Sequence, residues 1–213
     1  MGLIRTRTGW IVLLLWAVAA GAMIWLGFTY ILETPAPRPP APAFSEIGST
    51  GVVPAPGGHA YRYVAAPGIS WDAARAAAAG MTYQGRRGYL ATIGSEAEFR
   101  FVLDKVFRGE RNDVTYLGGR QTARGEWRWV TGPEGTMEGG QGQLFWTGDQ
   151  KGAARNGLYA NWMFTAFQHG GKWDAARVCC VTLFSYRLPQ FSTSLGTGEP
   201  DEGVAGYLVE FGG

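Results

Sequence analysis

Hydrophobic and polar positions change period several times along this chain, and the changes mark its elements. Residues 10–32 carry no charge, a run long enough to cross a ~30 Å hydrocarbon core as a helix rising about 1.5 Å per residue. Residues 59–65 alternate, with Tyr61 and Tyr63 in step, which predicts a strand. Ser70 can cap a helix over 71–79 that Gly80 closes, with Trp71, Ala74, Ala78 and Met81 on one face. Residues 88–93 predict a short buried strand. Ser95-Glu96-Ala97-Glu98 is a capping box, Ser95 serving the amide three residues on and Glu98 reaching back. Behind it Phe99, Val102, Leu103, Val106 and Phe107 form a core-facing stripe. Residues 114–118 and 126–130 predict two strands turned at Gly125, which puts Trp127 and Trp129 on one face. From 133 to 177 there is little periodicity, and seven glycines fall between Gly135 and Gly157. Residues 178–184 then predict a buried strand, and 206–211 a closing one.

The first apolar run sets the layout. Arg5 and Arg7 precede it and Glu33 follows, so the positive-inside rule places residues 1–9 in the cytoplasm, 10–32 in the membrane and the rest across it. A cleaved signal is the competing reading, with Ala17-Val18-Ala19 as its cleavage site. The apolar run continues well past that site, which favours a retained anchor. Residues 33–57 are rich in proline and glycine and read as a semi-rigid stalk. The expected protein is single-pass in the cell membrane, with a domain over 58–213 on the periplasmic or extracellular side.

Composition narrows the function classes. Glycine at 33 and tryptophan at 9 residues suggest a loop-rich domain whose large rings fill the core. The net charge of +2, with no basic block in the folded region, points away from nucleic acid. His59 and His169 stand far apart and propose no metal cluster, and no cofactor is implied. The cysteines are adjacent, Cys179 and Cys180. Neighbouring strand residues point to opposite faces, which favours two buried thiols; a vicinal disulfide and a bridge to another subunit stay open.

Three clusters carry a resemblance. Tyr116-Leu117-Gly118-Gly119, then Trp127-Arg128-Trp129-Val130-Thr131-Gly132, then Asn161-Trp162, following the two helices above, resemble the signature of the C-type lectin-like domain. The resemblance implies an α+β fold in which two helices flank small antiparallel sheets, a long irregular loop is inserted, and the first and last strands pair. It makes Trp146 and Trp162 anchors of the loop. Sugar-binding members hold calcium with an E-P-N or Q-P-D triplet soon after N-W and a W-N-D triplet after the next strand. Here residues 163–172 contain no carboxylate and no proline, and no W-N-D follows Val181. No calcium is therefore expected at the family's principal site. Glu199 and Asp201 lie near the closing strand and would serve a cation only in a rearranged site, with Asp174 or Asp149. Cys180 stands where a family cysteine is found, without its usual partner before Gly206.

What remains in the loop is aromatic and basic. Phe164, Phe167, His169 and Trp173, rimmed by Lys172, Arg155 and Lys151, would form a partner surface if exposed; all of them packing inside is the competing reading. His169 with Asp174 and a cysteine is the one assembly an enzyme could use, and no enzyme is expected. The expectation is a membrane-anchored recognition module, most simply a protein-binding accessory or assembly subunit of a bacterial envelope membrane complex. A calcium-independent glycan contact is the second reading.

Overall fold

The computed structural model describes residues 48–108, 113–149, 151–166, 168–169, 172–173, 178–185, 189–195 and 200–212, with backbone alone for 168, 169, 172, 173 and 195. The apolar run 10–32 and the stalk up to residue 47 lie outside the described residues. Among the described residues no helix is long and apolar enough to cross a membrane.

The folded unit begins earlier than the sequence suggests. Strand β1 (Val53–Pro54) pairs with β2 (Ala60–Ala65) around a 3₁₀ turn at Pro56–Gly58. Upstream, the Thr50 amide donates to the Tyr63 carbonyl at 3.0 Å, and the Tyr63 amide donates to Thr50 Oγ1. Residues 49–57, read as the end of the stalk, are thus hydrogen-bonded into the domain.

Helix α1 (Trp71–Ala79) starts where predicted, Ser70 Oγ accepting from the Ala73 amide. Trp71, Ala74 and Ala78 are fully buried, and the small alanines let the helix lie close to the sheet. Strand β3 (Thr82–Tyr83) turns into β4 (Arg86–Leu90). On β4, a Cβ at Gly88 would stand 2.7 Å from the Ala78 carbonyl, so the helix fits because Gly88 has none. Helix α2 (Glu96–Phe101) runs on as a π-helical segment, Val102–Val106. Its capping box differs in one detail: Glu98 accepts from the Gly94 amide at 2.9 Å, one residue ahead of the expected partner.

Strand β5 (Val114–Ala123) hairpins into β6 (Glu126–Trp129), which pairs with β7 (Gln143–Thr147), and β7 with β8 (Ala153–Ala154). The backbone of β9 (Gln168–His169) pairs with β10 (Lys172–Trp173). Strand β11 (Val178–Phe184) lies between β5 and β12 (Gln190–Leu195). Strand β13 (Gly206–Phe211) pairs antiparallel with β2 along its whole length, Gly206 opposite Ala65 and Phe211 opposite Ala60. The first long strand and the last therefore close the domain side by side. The stretch 133–177 is less irregular than its sequence suggests, and β12 was not foreseen.

Cys179 and Cys180 are joined as a vicinal disulfide, which corrects the expectation of two thiols. Regular strand geometry would aim these side chains apart. The strand gives up regular pairing here: register with β12 shifts between Val178 and Cys180, and register with β5 between Cys180 and Thr182.

Candidate binding sites: an acidic cavity and the loop face

A cavity of about 360 Å³ opens beside α2, within the size range of small-molecule sites. Its floor is built by the closing of the domain. Glu210 on β13 lies opposite Tyr61 of β2 on one side and Tyr89 of β4 on the other. The Glu210 carboxylate is 2% exposed; its Oε1 meets His59 Nδ1 at 2.6 Å and its Oε2 accepts from the Thr92 amide at 3.1 Å. Above it, Glu98 accepts from the Tyr61 hydroxyl at 2.7 Å and from the Gly94 amide. Trp129 and Glu134 complete the acidic and aromatic lining, while Pro56, Ser95 and Ala97 form an exposed rim.

The electrostatics follow from burial of like charges. Loss of water, and then the neighbouring Glu98 charge, push the Glu210 carboxyl up to about 7, against the opposing effect of His59 and the Thr92 amide. Burial likewise raises Glu98, partly offset by Tyr61 and Gly94. The Tyr61 and Tyr89 phenols are raised by burial and then by the Glu210 charge. No lysine or arginine is among the described residues lining the cavity. Of its hydroxyls, Ser95 caps α2 and Thr92 faces Glu210. Such an arrangement holds protons and attracts cations. The sequence reading passed over it, although Glu210 is a charge inside the otherwise apolar run Gly206–Phe211, a signal that could have found it.

At the loop, Asn161-Trp162 is fastened to β12 through the backbone. The Phe191 amide donates to the Asn161 carbonyl and the Met163 amide to the Phe191 carbonyl, both at 2.8 Å; Asn161 Nδ2 adds a bond to the Pro189 carbonyl. The Trp162 ring then packs 5.1 Å from Trp127, 5.8 Å from Phe191 and 6.0 Å from Phe145, centroid to centroid. Trp146 lies opposite Trp127 on β7 and 6.4 Å from Trp162. Trp127 and Trp129 are fully buried. The loop is thus nailed onto the W-x-W hairpin by the pair the sequence singled out, and the domain's ends pair beneath it. These are features that the resemblance to the C-type lectin-like domain implied.

No family model matches the chain. A segment of 102 residues, 46% of this chain, is 38% identical to halomucin from Haloquadratum walsbyi, and the match spans 1% of that protein's length. Among solved structures, the chain is similar to CEL-I, a C-type lectin from Cucumaria echinata, with a TM-score of 0.47 and 16% identity over 74% of this chain and 92% of that one. Human lithostathine is similar at a TM-score of 0.47 and 17% identity, over 85% of this chain and 99% of that one. The cow CD23 carbohydrate-recognition domain, solved in the presence of a GlcNAc2Man3 oligosaccharide, gives 0.44 and 17% over 71% and 86%.

Within this frame the expected surface residues separate. Phe164 is 75% exposed, on a turn closed by the Ala166 amide bonding to the Met163 carbonyl at 2.9 Å. Arg155 is exposed but tied to β7, its guanidinium donating to Thr147 Oγ1 and its amide to the Phe145 carbonyl. His169 and Lys172 sit opposite each other on the β9–β10 hairpin, with Trp173 beside them opposite Gln168. Phe167, Asp174 and Glu199 lie outside the described residues. Asp201 serves a turn, its Oδ1 accepting from the Gly203 amide and its carbonyl from the Val204 amide. Among the described residues no three His, Cys, Asp or Glu side chains could together hold a metal ion.

Proposed function

We propose that this chain is a membrane-anchored recognition module that docks a protein, as an accessory or assembly subunit of an envelope membrane complex, without calcium and without catalysis. The observation that carries this reading is Phe164. A large apolar ring, 75% exposed, stands on a turn held from both sides. One side is the N-W segment bonded to β12; the other is the Ala166 carbonyl, which accepts from Thr193 Oγ1. A ring presented on a fixed turn loses little conformational freedom when it enters a partner's pocket, and such anchors carry much of the energy of protein interfaces. The charge-free run 10–32 supports the anchor, and the absence of both calcium triplets from the sequence supports a function without that ion.

The test is recovery of the full chain from native membranes in mild detergent. Stoichiometric protein partners are expected, and Phe164→Ser should reduce their recovery at least tenfold, about 1.4 kcal/mol or more of binding energy, while leaving the melting temperature unchanged. A lone monomer, or partner recovery indifferent to Phe164→Ser, would count against the reading.

A further inference from the structure

We propose that Cys179–Cys180 is a thiol–disulfide exchange site, a bond opened by a dithiol reductant that attacks Cys179 and expels Cys180. This goes beyond the docking reading and does not rest on it.

The bond is a poor staple. A disulfide stabilises a fold chiefly by taking freedom from the unfolded chain, and the effect grows with the length of the loop it closes. Cys179 and Cys180 are neighbours in sequence, so their bond ties no two parts of the chain together. It sits instead where the ladder is interrupted, since pairing of β11 slips beside Cys180 against both β12 and β5. With the bond open, the two side chains are free to return to opposite faces of a regular strand. A linkage that holds no distant segments and lies at a break in its own strand has the character of a reactive bond.

The two sulfurs stand in different surroundings, which gives the exchange a direction. Cys179 is partly exposed, whereas Cys180 is fully buried. An incoming thiolate therefore meets Cys179 first. Cys180 lies opposite Arg120 on β5 and Ser194 on β12, and directly opposed strand residues have Cβ atoms about 5 Å apart. The Arg120 guanidinium lies over the Trp71 ring, 5.6 Å from its centroid, and Trp71 and Cys180 share one buried cluster. Arg120 forms no ion pair among the described residues. Ser194 Oγ is buried with no hydrogen-bond partner. A cation without a countercharge and a hydroxyl without an acceptor thus flank the same residue. A disulfide sulfur offers little to either. A thiolate suits both, and a leaving thiolate that is stabilised departs faster.

In the first step a thiolate of the reductant bonds to Cys179 Sγ while the Cys179–Cys180 bond breaks. The electron pair of that bond leaves on Cys180 Sγ, which then takes a proton from solvent. The second thiolate of the reductant attacks its own sulfur in the mixed disulfide and expels Cys179, which is protonated in turn. The protein gains two electrons and two protons, and the reductant ends as a disulfide.

The probe is dithiothreitol, applied to the full chain in detergent micelles. Thiols are trapped with iodoacetamide and read by mass spectrometry, while circular dichroism reports the fold. Both cysteines should become alkylated in the folded protein, at a rate proportional to dithiothreitol concentration. Glutathione disulfide should restore the bond once dithiothreitol is removed. Cys180→Ser should take up glutathione at Cys179 from glutathione disulfide, and Cys179→Ser should take up none while folded. Arg120→Gln should slow reduction about fivefold or more, and Arg120→Lys should recover most of that loss, a rescue by charge that a purely packing role would not give. Three results overturn the proposal: two thiols that glutathione disulfide does not join, a bond that opens only as fast as the domain unfolds whatever the dithiothreitol concentration, or reduction indifferent to Arg120→Gln.

Discussion

A Cβ on Gly118 would stand 1.8 Å from Thr131 Oγ1 and 2.4 Å from the Leu90 carbonyl oxygen. Thr131 occupies that spot because its hydroxyl donates to the same carbonyl at 2.6 Å, and the Gly118 amide donates to the Ala91 carbonyl at 2.8 Å. Three segments meet there with no room for a side chain. Gly118→Ala should therefore cost about 3 kcal/mol or more, measured by urea unfolding. Gly139 makes the useful comparison, with open space around it and a φ of +73°; Gly139→Ala should cost only about 1 kcal/mol, from backbone strain alone. Both glycines were visible in the sequence, and Gly118 was even recognised as part of a motif. Its physical reason was not visible, because Leu90 reaches it from the end of β4 and Thr131 from the bend that follows β6. The adjacent cysteines show the reverse case. The period-two rule was sound, but the bulged register of β11 suspends it at that point.

Among the elements, α1, α2, β5, β6, β11 and β13 could be read because each carries its own caps or period. Strand β12 could not, since four of the six residues in Gln190–Leu195 are polar. Yet Phe191 at its start is fully buried and sits within 6 Å of four rings: Phe99 at 5.7 Å, Trp129 at 5.9 Å, Tyr159 at 5.9 Å and Trp162 at 5.8 Å. Its backbone also holds the N-W segment. This one residue joins α2, the W-x-W hairpin and the loop. Phe191→Ala should destabilise the domain by about 3–5 kcal/mol. Hydrogen exchange would show more: the amides of Met163 and Ala166 should lose protection before those of β13, because the loop's anchor goes first. Uniform loss across both would mean that the loop and the closing strand unfold as one unit.

At the scale of the molecule, the order of motifs made the closed, ends-together frame legible, whereas the acidic cavity stayed hidden. Its residues are spread from His59 to Glu210, and each has a local reading of its own: a strand start, a helix cap, a hairpin tryptophan, a closing strand. Only the pairing of β2 with β13 and of β13 with β4 gathers them. Its consequence is a pH dependence of stability. Facing Glu210 are His59 and Tyr61 from the β2 side, Tyr89 from β4, Thr92 beyond it and Glu98 from α2. The Glu210 carboxyl is raised from 4.5 to about 7 in the folded protein, so between those values the folded state holds a proton that the unfolded chain has released. Stability from this group is full below about 4.5 and is lost as pH rises through about 7, and the raised Glu98 adds to the loss in the same direction. The melting temperature should fall between pH 5 and pH 8, by an amount corresponding to about 2–3 kcal/mol. Glu210→Gln, which removes the ionising group, should flatten most of that slope. A melting curve indifferent to pH in both proteins would mean that Glu210 is paired and hydrated as well in the fold as outside it, and the cavity would then lack the electrostatic pull that its three carboxylates imply.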